Sequence, residues 1–470
     1  MHRTYKIIIN GQETTGENGT LNVVNPATEE VFAYASQASE NQLEQAVQAA
    51  QKAFISWQET SIDQRKSHLK AIAIKLEEHQ EELAKLITLE QGKPHNIAMM
   101  EVGGAIGWLQ ATIALDLPVK VIEDSAVKRI ELHRKPLGVV ASITPWNWPV
   151  MIAAWHIFPA LLAGNTVISK PSELTPVATL RMVELMGELL PKGVINSVCG
   201  SGEIGAAISQ HPGINKIVFT GSTPTGQAIM RSAAGNLKRL TLELGGNDAG
   251  IILPDADPDK IAPAIFQSAF INMGQTCAAL KRLYVHDSIH DSLCEKLAEI
   301  ANQQVVGDGM DQETTFGPVQ NLKQLQIVKE LVEDAVNNGA TVLCGGEPLQ
   351  QKGYFYPPTL ITDVDNGCRL VDEEQFGPVL PIIRYSDIDE VIKKANDCEN
   401  GLGGSVWSSD LQQAAELAKK LETGTTWVNN HAEVLPHAPF GGAKMSGIGV
   451  EFGEEGLEEY TQIQVLSITR

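Results

Sequence analysis

From residue 137 onward, short runs rich in β-branched residues alternate with stretches of helical periodicity. Strands that alternate with helices form βαβ units, in which the strands lie parallel in one sheet and the helices pack against it. Residues 243–440 repeat the alternation. An α/β fold with two α/β domains is therefore predicted. The strand-like runs are residues 138–143, 166–169, 195–198 and 216–219 in the first part, and residues 249–253, 282–285 and 379–383 in the second.

Three other segments have regular patterns. Residues 40–92 repeat apolar residues at three- and four-residue spacing, with Glu, Gln and Lys between them, which predicts helices. Residues 119–135 alternate as a charged hairpin would, and this hairpin is either a subunit contact or a solvated surface feature. Residues 461–468 alternate as an edge strand that needs a partner would. A chain of 470 residues is long enough for two or three domains.

The charge balance excludes several classes of partner. Asp and Glu outnumber Lys and Arg by 57 to 36, and the net charge of −21 repels nucleic-acid phosphates and anionic membranes. The N-terminus lacks the apolar core of a signal peptide, and no apolar run has the roughly 18 to 20 residues of a membrane span. The six cysteines form no Cys-x-x-Cys pair and have no histidine cluster beside them. We therefore expect no metal site, no disulfide framework and a cytoplasmic enzyme.

Cys277 and Glu243 are the candidate nucleophile and base. Cys277 follows Gly274-Gln275-Thr276, where small and flexible neighbours let the backbone approach a substrate, although a lone cysteine is more often inert packing. Glu243 lies between two leucines. A carboxylate held in an apolar pocket has a raised pKa and can act as a general base near neutral pH. The alternative for Glu243 is an edge strand on which it faces water.

A rigid turn and two glycine-rich segments also follow predicted strands. Asn147 lies between two tryptophans in a proline-bounded turn, where its amide either donates to an oxyanion or caps the next helix. Residues 200–205, a G-x-G-x-x-G pattern, and residues 219–226 each lie between a strand and a helix, where a pyrophosphate can bind the helix N-terminus. The pattern alone does not rank them. Lys170 and Glu173 lie either near ribose hydroxyls or in a surface pair.

Seven motifs, taken together and in order, resemble the aldehyde dehydrogenase superfamily across nearly the whole chain. The resemblance is to the NAD-dependent, hydrolytic type, because Glu243 and Asn147 are both present and the coenzyme A-acylating relatives generally lack the glutamate. The motifs are Pro145-Trp146-Asn147, Lys170-Pro171-Ser172-Glu173, Phe219-Thr220-Gly221-Ser222, Glu243-Leu244-Gly245-Gly246, Gly274-Gln275-Thr276-Cys277, Glu374-Gln375-Phe376-Gly377-Pro378 and Pro439-Phe440-Gly441-Gly442.

The resemblance implies a domain organisation and NAD as the cofactor. A Rossmann-like NAD-binding domain is expected in residues 1–117 and 137–242, a catalytic domain in residues 243–440, and a small β oligomerisation element in residues 118–136 and 441–470. A homodimer or homotetramer follows. A carboxylate facing the ribose 2′-hydroxyl favours NAD over NADP. The implied cofactor residues are Lys170 and Glu173 for the adenosine ribose, Gly221 and Ser222 for the pyrophosphate, Glu374 for the nicotinamide ribose, Phe376 beside the nicotinamide, and Trp146 as a further cofactor contact.

The resemblance also implies the reaction, which oxidises an aldehyde to a carboxylic acid. Cys277 attacks the aldehyde, and the Asn147 amide with the Cys277 backbone N–H stabilises the oxyanion of the thiohemiacetal. Hydride transfer leaves a thioester, which is hydrolysed with Glu243 as the general base. Two rivals are a coenzyme A-acylating dehydrogenase, which Glu243 argues against, and a binding or structural protein that lost catalysis. The intact set of Cys277, Glu243 and Asn147 argues against the second.

One departure from the family concerns proton transfer. Many members carry a lysine where this chain has His156, and that lysine relays the deacylation proton to a glutamate matching Glu451. Either His156 and Glu451 take over the relay, or His156 is packing and Glu243 works through water alone. The implied substrate tunnel is mainly apolar without Arg or Lys, which favours an apolar or aromatic aldehyde over a semialdehyde. Its implied lining is Trp148, Met151, Trp155, Thr276, Ala278 and residues 433–437.

Overall fold

Two large sheets organise the chain, and the computed structural model describes residues 3–470. The first sheet has six strands, of which five run parallel and the last pairs antiparallel. All four runs predicted in the first part of the chain are strands of this sheet. Its central strands are buried at every position, as parallel strands covered on both faces are. The order is Ile195–Ser197, Thr166–Lys170, Val139–Ile143, Lys216–Thr220, Arg239–Glu243 and Gly447–Ile448.

The second sheet has seven strands, and only its outermost pair is antiparallel. The three runs predicted in residues 243–440 are all strands of it, so the α/β fold class is confirmed for both parts of the chain. The strand order is Thr341–Cys344, Thr359–Thr362, Val379–Tyr385, Leu280–His286, Asp248–Ile252, Gly403–Trp407 and Thr425–Val428.

The segment predicted to be helical forms three helices, Glu40–Trp57, Ile62–Glu78 and Gln80–Gln91. The first two begin at capping boxes, in which Ser39 and Ser61 accept from the backbone N–H three residues later. Their apolar faces join the first sheet in one continuous core. Several short strands form small separate sheets. Thr4–Tyr5, Glu30–Ser36 and Thr20–Asn25 form a three-stranded sheet, Ile7–Ile9 pairs with Gln12–Thr14, and Asn400–Gly401 pairs with Ala443–Lys444.

The helix His95–Ala114 is long and apolar enough, by length and composition, to cross a membrane. The sequence analysis did not anticipate a run of this length. Within the chain it packs against the helix Pro149–Leu162 and buries Val102, Ala105 and Leu109. It also carries Glu101, which is fully buried in an ion pair with Lys93. Part of its apolar character is therefore explained by packing.

The remaining helices connect the strands of the two sheets. Those in the first part are Pro149–Leu162, Val177–Gly187, Gly202–Gln210 and Thr223–Ala233. Those in the second part are Pro258–Phe270, His290–Asn302, Leu322–Asn337, Arg369–Asp372, Ile388–Asn396 and Leu411–Ala418, and Gly453–Glu458 precedes the C-terminal strand.

A third sheet contains the predicted hairpin and the C-terminal strand. The hairpin strands are Lys120–Asp124 and Lys128–Pro136, and Thr461–Thr469 pairs antiparallel with the second of them over its whole length. The tail strand thus finds its first partner within its own chain. Apolar side chains remain at least two-fifths exposed on this sheet, namely Val121, Ile122, Val127, Ile463, Val465, Leu466 and Ile468.

Candidate active site

A groove lies at the carboxyl ends of the parallel strands of the first sheet, where loops from several strands meet. Two adjoining cavities form it, and they share Pro145, Trp146, Thr220, Gly221 and Ser222. One cavity adds Asn147, Leu244, Cys277, Glu374 and Phe376, and the other adds Lys170, Ser172, Glu173, Gly202 and Gly205. The structure therefore brings every residue predicted for the cofactor into one groove that ends at Cys277.

The outer end of the groove combines a buried cation with an accessible carboxylate. The Lys170 ammonium lies 3.9 Å from Glu173 Oε2 and donates to the carbonyl of Pro171. Burial lowers the pKa of Lys170, while Glu173 opposes that effect. The helix Thr223–Ala233 begins here, and its N-cap Ser222 makes no side-chain capping bond. An uncapped helix N-terminus leaves backbone N–H groups free for an anion, so the groove fits a diphosphate.

The inner end of the groove contains Glu374 between two backbone segments. Glu374 Oε1 accepts from the Gly246 N–H at 3.2 Å and lies 3.2 Å from the Lys281 ammonium. A Cβ at position 245 would lie 2.4 Å from Glu374 Oε2, so a side chain there would displace the carboxylate from its present position. The rings of Trp146 and Phe376 meet edge to face at 5.3 Å on the other wall. This end can hold a ribose and a flat ring.

Cys277 follows a tightly wound segment that the sequence pattern did not predict. Asn272 and Met273 have φ values of 52° and 55°, a left-handed conformation that non-glycine residues rarely adopt. Gly274 continues this conformation, and a Cβ there would lie 2.2 Å from the carbonyl oxygen of Gly377. The segment before the thiol is therefore fixed against the loop that carries Phe376.

Asn147 is buried beside this segment. Its Nδ2 donates to the carbonyl of Gln275 at 2.9 Å, while its Oδ1 has no partner among residues 3–470. The backbone carbonyl of Asn147 accepts from Asn272 Nδ2 and from the ammonium of Lys93. The alternative that Asn147 caps the next helix is wrong, because Trp148 occupies the N-cap and the backbone N–H groups of Val150 and Met151 donate to Glu101 instead. The amide is held within the cavity that contains Cys277.

The half-buried Cys277 thiol lies among more carboxylates than cations. Burial raises its pKa to about 12, and Lys281 opposes that rise, whereas Glu243, Glu374 and Asp248 add to it. The thiol is therefore protonated in the free protein near neutral pH, and a nucleophilic thiolate requires a base or a rearrangement of these charges.

Glu243 is 5% exposed, and its Oε1 has no hydrogen-bond partner among residues 3–470. Burial and the nearby Glu451 raise its pKa well above that of an ordinary carboxyl group. The alternative that Glu243 faces water from an edge strand is wrong, because Gly447–Ile448 covers that edge and Gly447 pairs with Glu243. A carboxyl group in this environment can exchange a proton near neutral pH.

His156 and Glu451 lie against each other in the core next to Glu243. His156 Nε2 is 3.1 Å from Glu451 Oε1 and 3.0 Å from Thr220 Oγ1, and its Nδ1 is 3.1 Å from Ser142 Oγ. His156 is fully buried and Glu451 is 3% exposed. Every polar atom of the imidazole thus has a partner that can accept or donate.

An aromatic cluster adjoins Cys277, and most of it was missed by the sequence analysis. The Trp155 ring lies 4.9 Å from Phe452 and 5.5 Å from Trp108, and Trp108 lies 5.6 Å from Phe452. Trp155, Ala278 and Val434, the last as one of residues 433–437, were predicted here. Trp148 instead is buried, with its Nε1 donating to Thr276 Oγ1. Other apolar members of the cluster are Leu402, Trp427 and Phe440.

Comparisons with known proteins show the family to which the chain belongs. The aldehyde dehydrogenase family profile matches residues 13–466. A phenylacetaldehyde dehydrogenase from Pseudomonas fluorescens is 39% identical, covering 99% of this chain and 96% of the relative. Retinaldehyde dehydrogenase 3 from Rattus norvegicus is 38% identical, covering 98% and 92%. The NAD⁺ complex of an aldehyde dehydrogenase from Bacillus cereus superimposes with a TM-score of 0.96 at 38% identity, covering 99% of this chain and 96% of that chain.

The chain belongs to the aldehyde dehydrogenase family. It is therefore an oxidoreductase, and the predicted family, fold class and enzyme class are confirmed. NAD, the cofactor implied by the resemblance, is the cofactor bound in the solved relative, and the prediction of NAD is likewise confirmed.

Proposed function

We propose that the protein oxidises apolar or aromatic aldehydes to carboxylic acids with NAD, through a thioester on Cys277 that is hydrolysed with Glu243 as the base. The observation that carries the substrate class is the cluster of aromatic side chains of Trp108, Trp155 and Phe452, against which Cys277 packs. Aromatic rings that pack edge to face beside the thiol favour an apolar side chain on the aldehyde.

In the first half of the reaction the Cys277 thiolate adds to the aldehyde carbonyl. The Asn147 amide, released from the Gln275 carbonyl, and the backbone N–H of Cys277 stabilise the oxyanion that forms. NAD bound in the groove accepts the hydride when this thiohemiacetal collapses. Glu374 holds the ribose, and Phe376 and Trp146 limit where the ring can lie. The acyl group is then left on sulfur as a thioester.

In the second half Glu243 removes a proton from a water molecule as that water attacks the thioester. The tetrahedral intermediate expels the Cys277 thiolate and releases the acid. The raised pKa of Glu243 suits this task, because a base whose pKa is near the working pH accepts the proton most effectively. Coenzyme A is not needed, since water is the acyl acceptor.

The proton accepted by Glu243 has an onward route through Glu451 and His156. Glu451 raises the pKa of Glu243, so their carboxyl groups are close enough to interact, and His156 contacts Glu451 directly. The hydroxyls of Thr220 and Ser142 can reorient to donate or accept, which suits proton transfer. We propose that this histidine replaces the lysine that many family members carry.

Replacing His156 by phenylalanine is expected to slow hydrolysis of the thioester about 10-fold. This effect is smaller than the roughly 10²- to 10⁴-fold loss expected when a direct general base is removed, because Glu243 still acts as the base. The rate of the first turnover should not change. Stopped-flow NADH formation separates the two steps. His156→Lys, which restores a cation at the same position, should hydrolyse faster than the phenylalanine variant and with a different dependence of kcat on pH. Equal hydrolysis rates in all three proteins would contradict the relay.

The substrate class is tested by NADH formation with phenylacetaldehyde, hexanal, betaine aldehyde and succinic semialdehyde. We expect kcat/KM for the first two to exceed that for the semialdehyde by at least about 10-fold, because a carboxylate would be desolvated without a cation. The phenylacetaldehyde dehydrogenase relative supports this choice. A preference for betaine aldehyde would instead indicate that the aromatic cluster binds a quaternary ammonium group. NADP is tested alongside, and Glu173 should repel its 2′-phosphate.

The third sheet is the proposed site of subunit association. Its outer strands carry exposed valine, leucine and isoleucine side chains and unpaired backbone edges, which a second copy of the chain would cover. A homodimer or homotetramer is expected by sedimentation equilibrium of the full chain. We also propose a cytoplasmic location, supported by the six cysteines, all of which are free.

A further inference from the structure

A buried lysine that no predicted motif includes contacts both the nucleophile and a residue of the cofactor groove. Lys281 lies on the strand Leu280–His286, and its side chain is 3% exposed. Its ammonium donates to the backbone carbonyl of Cys277 at 2.5 Å and lies 3.2 Å from Glu374 Oε1. One cation is thus shared by the main chain of the nucleophile and by the carboxylate at the inner end of the groove.

The same arrangement occurs on the other side of the oxyanion site. The Lys93 ammonium donates to the backbone carbonyl of Asn147 at 2.8 Å and pairs with Glu101, and both side chains are fully buried. Each residue proposed to bind the oxyanion therefore has its carbonyl fixed by a buried lysine that is paired with a glutamate. The two pairs differ in one respect: Glu101 accepts from the backbone of a helix, whereas Glu374 lines the cofactor groove.

The contacts of Lys281 have electrostatic consequences for both partners. Burial raises the pKa of Glu374, and Lys281 is the strongest influence that lowers it, so the ammonium favours the ionised carboxylate. Removing the cation would leave an ionised carboxylate without a partner in this site, which is energetically unfavourable. Lys281 also favours the thiolate of Cys277, whereas Glu374, Glu243 and Asp248 oppose it. Removing the lysine and removing the glutamate should therefore affect the thiol in opposite directions.

We propose that Lys281 is a positioning residue, which holds the Cys277 main chain and the Glu374 carboxylate in one ion-pair cluster and thereby joins the nucleophile to the cofactor site. This inference rests on the roles proposed above for Cys277 and Glu374. Lys281 does not touch the reacting atoms. It acts by setting the charge around the thiol and the place of the carboxylate that binds the ribose.

The test is the rate at which iodoacetamide alkylates Cys277 in the free enzyme at pH 8, followed by mass spectrometry of the peptide that contains it. When the pH is below the pKa of a thiol, raising that pKa by about one lowers the thiolate fraction roughly tenfold. We expect Lys281→Met to react about 10-fold more slowly than wild type, and Glu374→Gln to react faster. Lys281→Arg keeps the charge and should stay within about threefold of wild type. Lys296→Met, which removes an ammonium from the surface helix His290–Asn302, is the control.

A second measurement is NAD binding by isothermal titration calorimetry. Lys281→Met should weaken binding about 10-fold, as expected when one charge-assisted contact is lost, and Lys281→Arg should recover most of it. If Lys281→Met fails to fold, the different alkylation rates expected for Lys281→Arg and Glu374→Gln still test the inference. Alkylation of Lys281→Met at the rate of Lys296→Met, or rates that change in the same direction for the lysine and glutamate variants, would overturn it.

Neither measurement uses an aldehyde, so their outcome is independent of the proposed reaction. Failure of the proposed function would appear as turnover that survives without Cys277. Failure of the inference about Lys281 would appear as an unchanged thiol in an enzyme that still depends on Cys277.

Discussion

Glu243→Gln is expected to produce one NADH per active site and then turn over at least about 10²-fold more slowly than wild type. The amide has the size and shape of the carboxyl group but cannot accept a proton from water. Acylation of Cys277 can still occur, because the oxyanion is stabilised by Asn147. The thioester then accumulates, since the water that would hydrolyse it is no longer activated.

Stopped-flow absorbance at 340 nm measures the burst, and intact-protein mass spectrometry detects the acyl group on the enzyme. Glu295→Gln, which changes an exposed glutamate on the helix His290–Asn302, should behave as wild type. Loss of both the burst and the turnover would place Glu243 in the first half of the reaction, contrary to its proposed role. Turnover equal to wild type would remove it from the mechanism.

The same residue sets the expected pH dependence of hydrolysis. Glu243 must be ionised to act as a base, and its pKa lies well above that of an ordinary carboxyl group because of burial and Glu451. Hydrolysis of the thioester should therefore increase with pH through this raised pKa, and the increase should be absent from Glu243→Gln. A decrease with rising pH over the same range would contradict the assignment.

The sheets were predictable because buried parallel strands leave a local signal. Runs such as Val139–Ile143 and Lys216–Thr220 are rich in β-branched and apolar residues, and they recur between helices. The water-facing alternative for Glu243 remained open in the sequence for a structural reason. The strand that covers its edge, Gly447–Ile448, is two residues long and far along the chain, so no local pattern reveals it.

The unpredicted parts of the site depend on contacts between distant segments. Trp108 lies on the helix His95–Ala114, and Phe452 lies in a loop near the C-terminus, yet their rings are in contact. Helical periodicity alone predicts only that the tryptophan packs against a neighbouring element. Asn272 and Met273 adopt a left-handed backbone that glycine usually marks. In the sequence, Lys281 is one of two adjacent basic residues and has no distinguishing pattern. Its contacts with the Cys277 carbonyl and the Glu374 carboxylate are formed only in the folded chain.

Cys277→Ala is expected to lower kcat by at least about 10³-fold, because it removes the only proposed site at which the acyl group becomes covalent. A general base and an oxyanion donor remain, but without the thiol the aldehyde has no nucleophile that can form a thioester. NAD affinity should stay within a few-fold of wild type, since the thiol is not among the groups proposed to hold the ribose or the diphosphate. NADH formation and calorimetry measure the two quantities.

Cys398→Ala provides the matched control, because Cys398 is also a free and partly exposed thiol but lies outside the groove. It should retain wild-type turnover, and only the wild type and this control should lose activity when treated with iodoacetamide. NADH formation by Cys277→Ala at the wild-type rate would refute the thioester mechanism. Because Asn147, Glu243 and Lys281 are grouped through their proposed roles around Cys277, such a result would also remove the reason for grouping them.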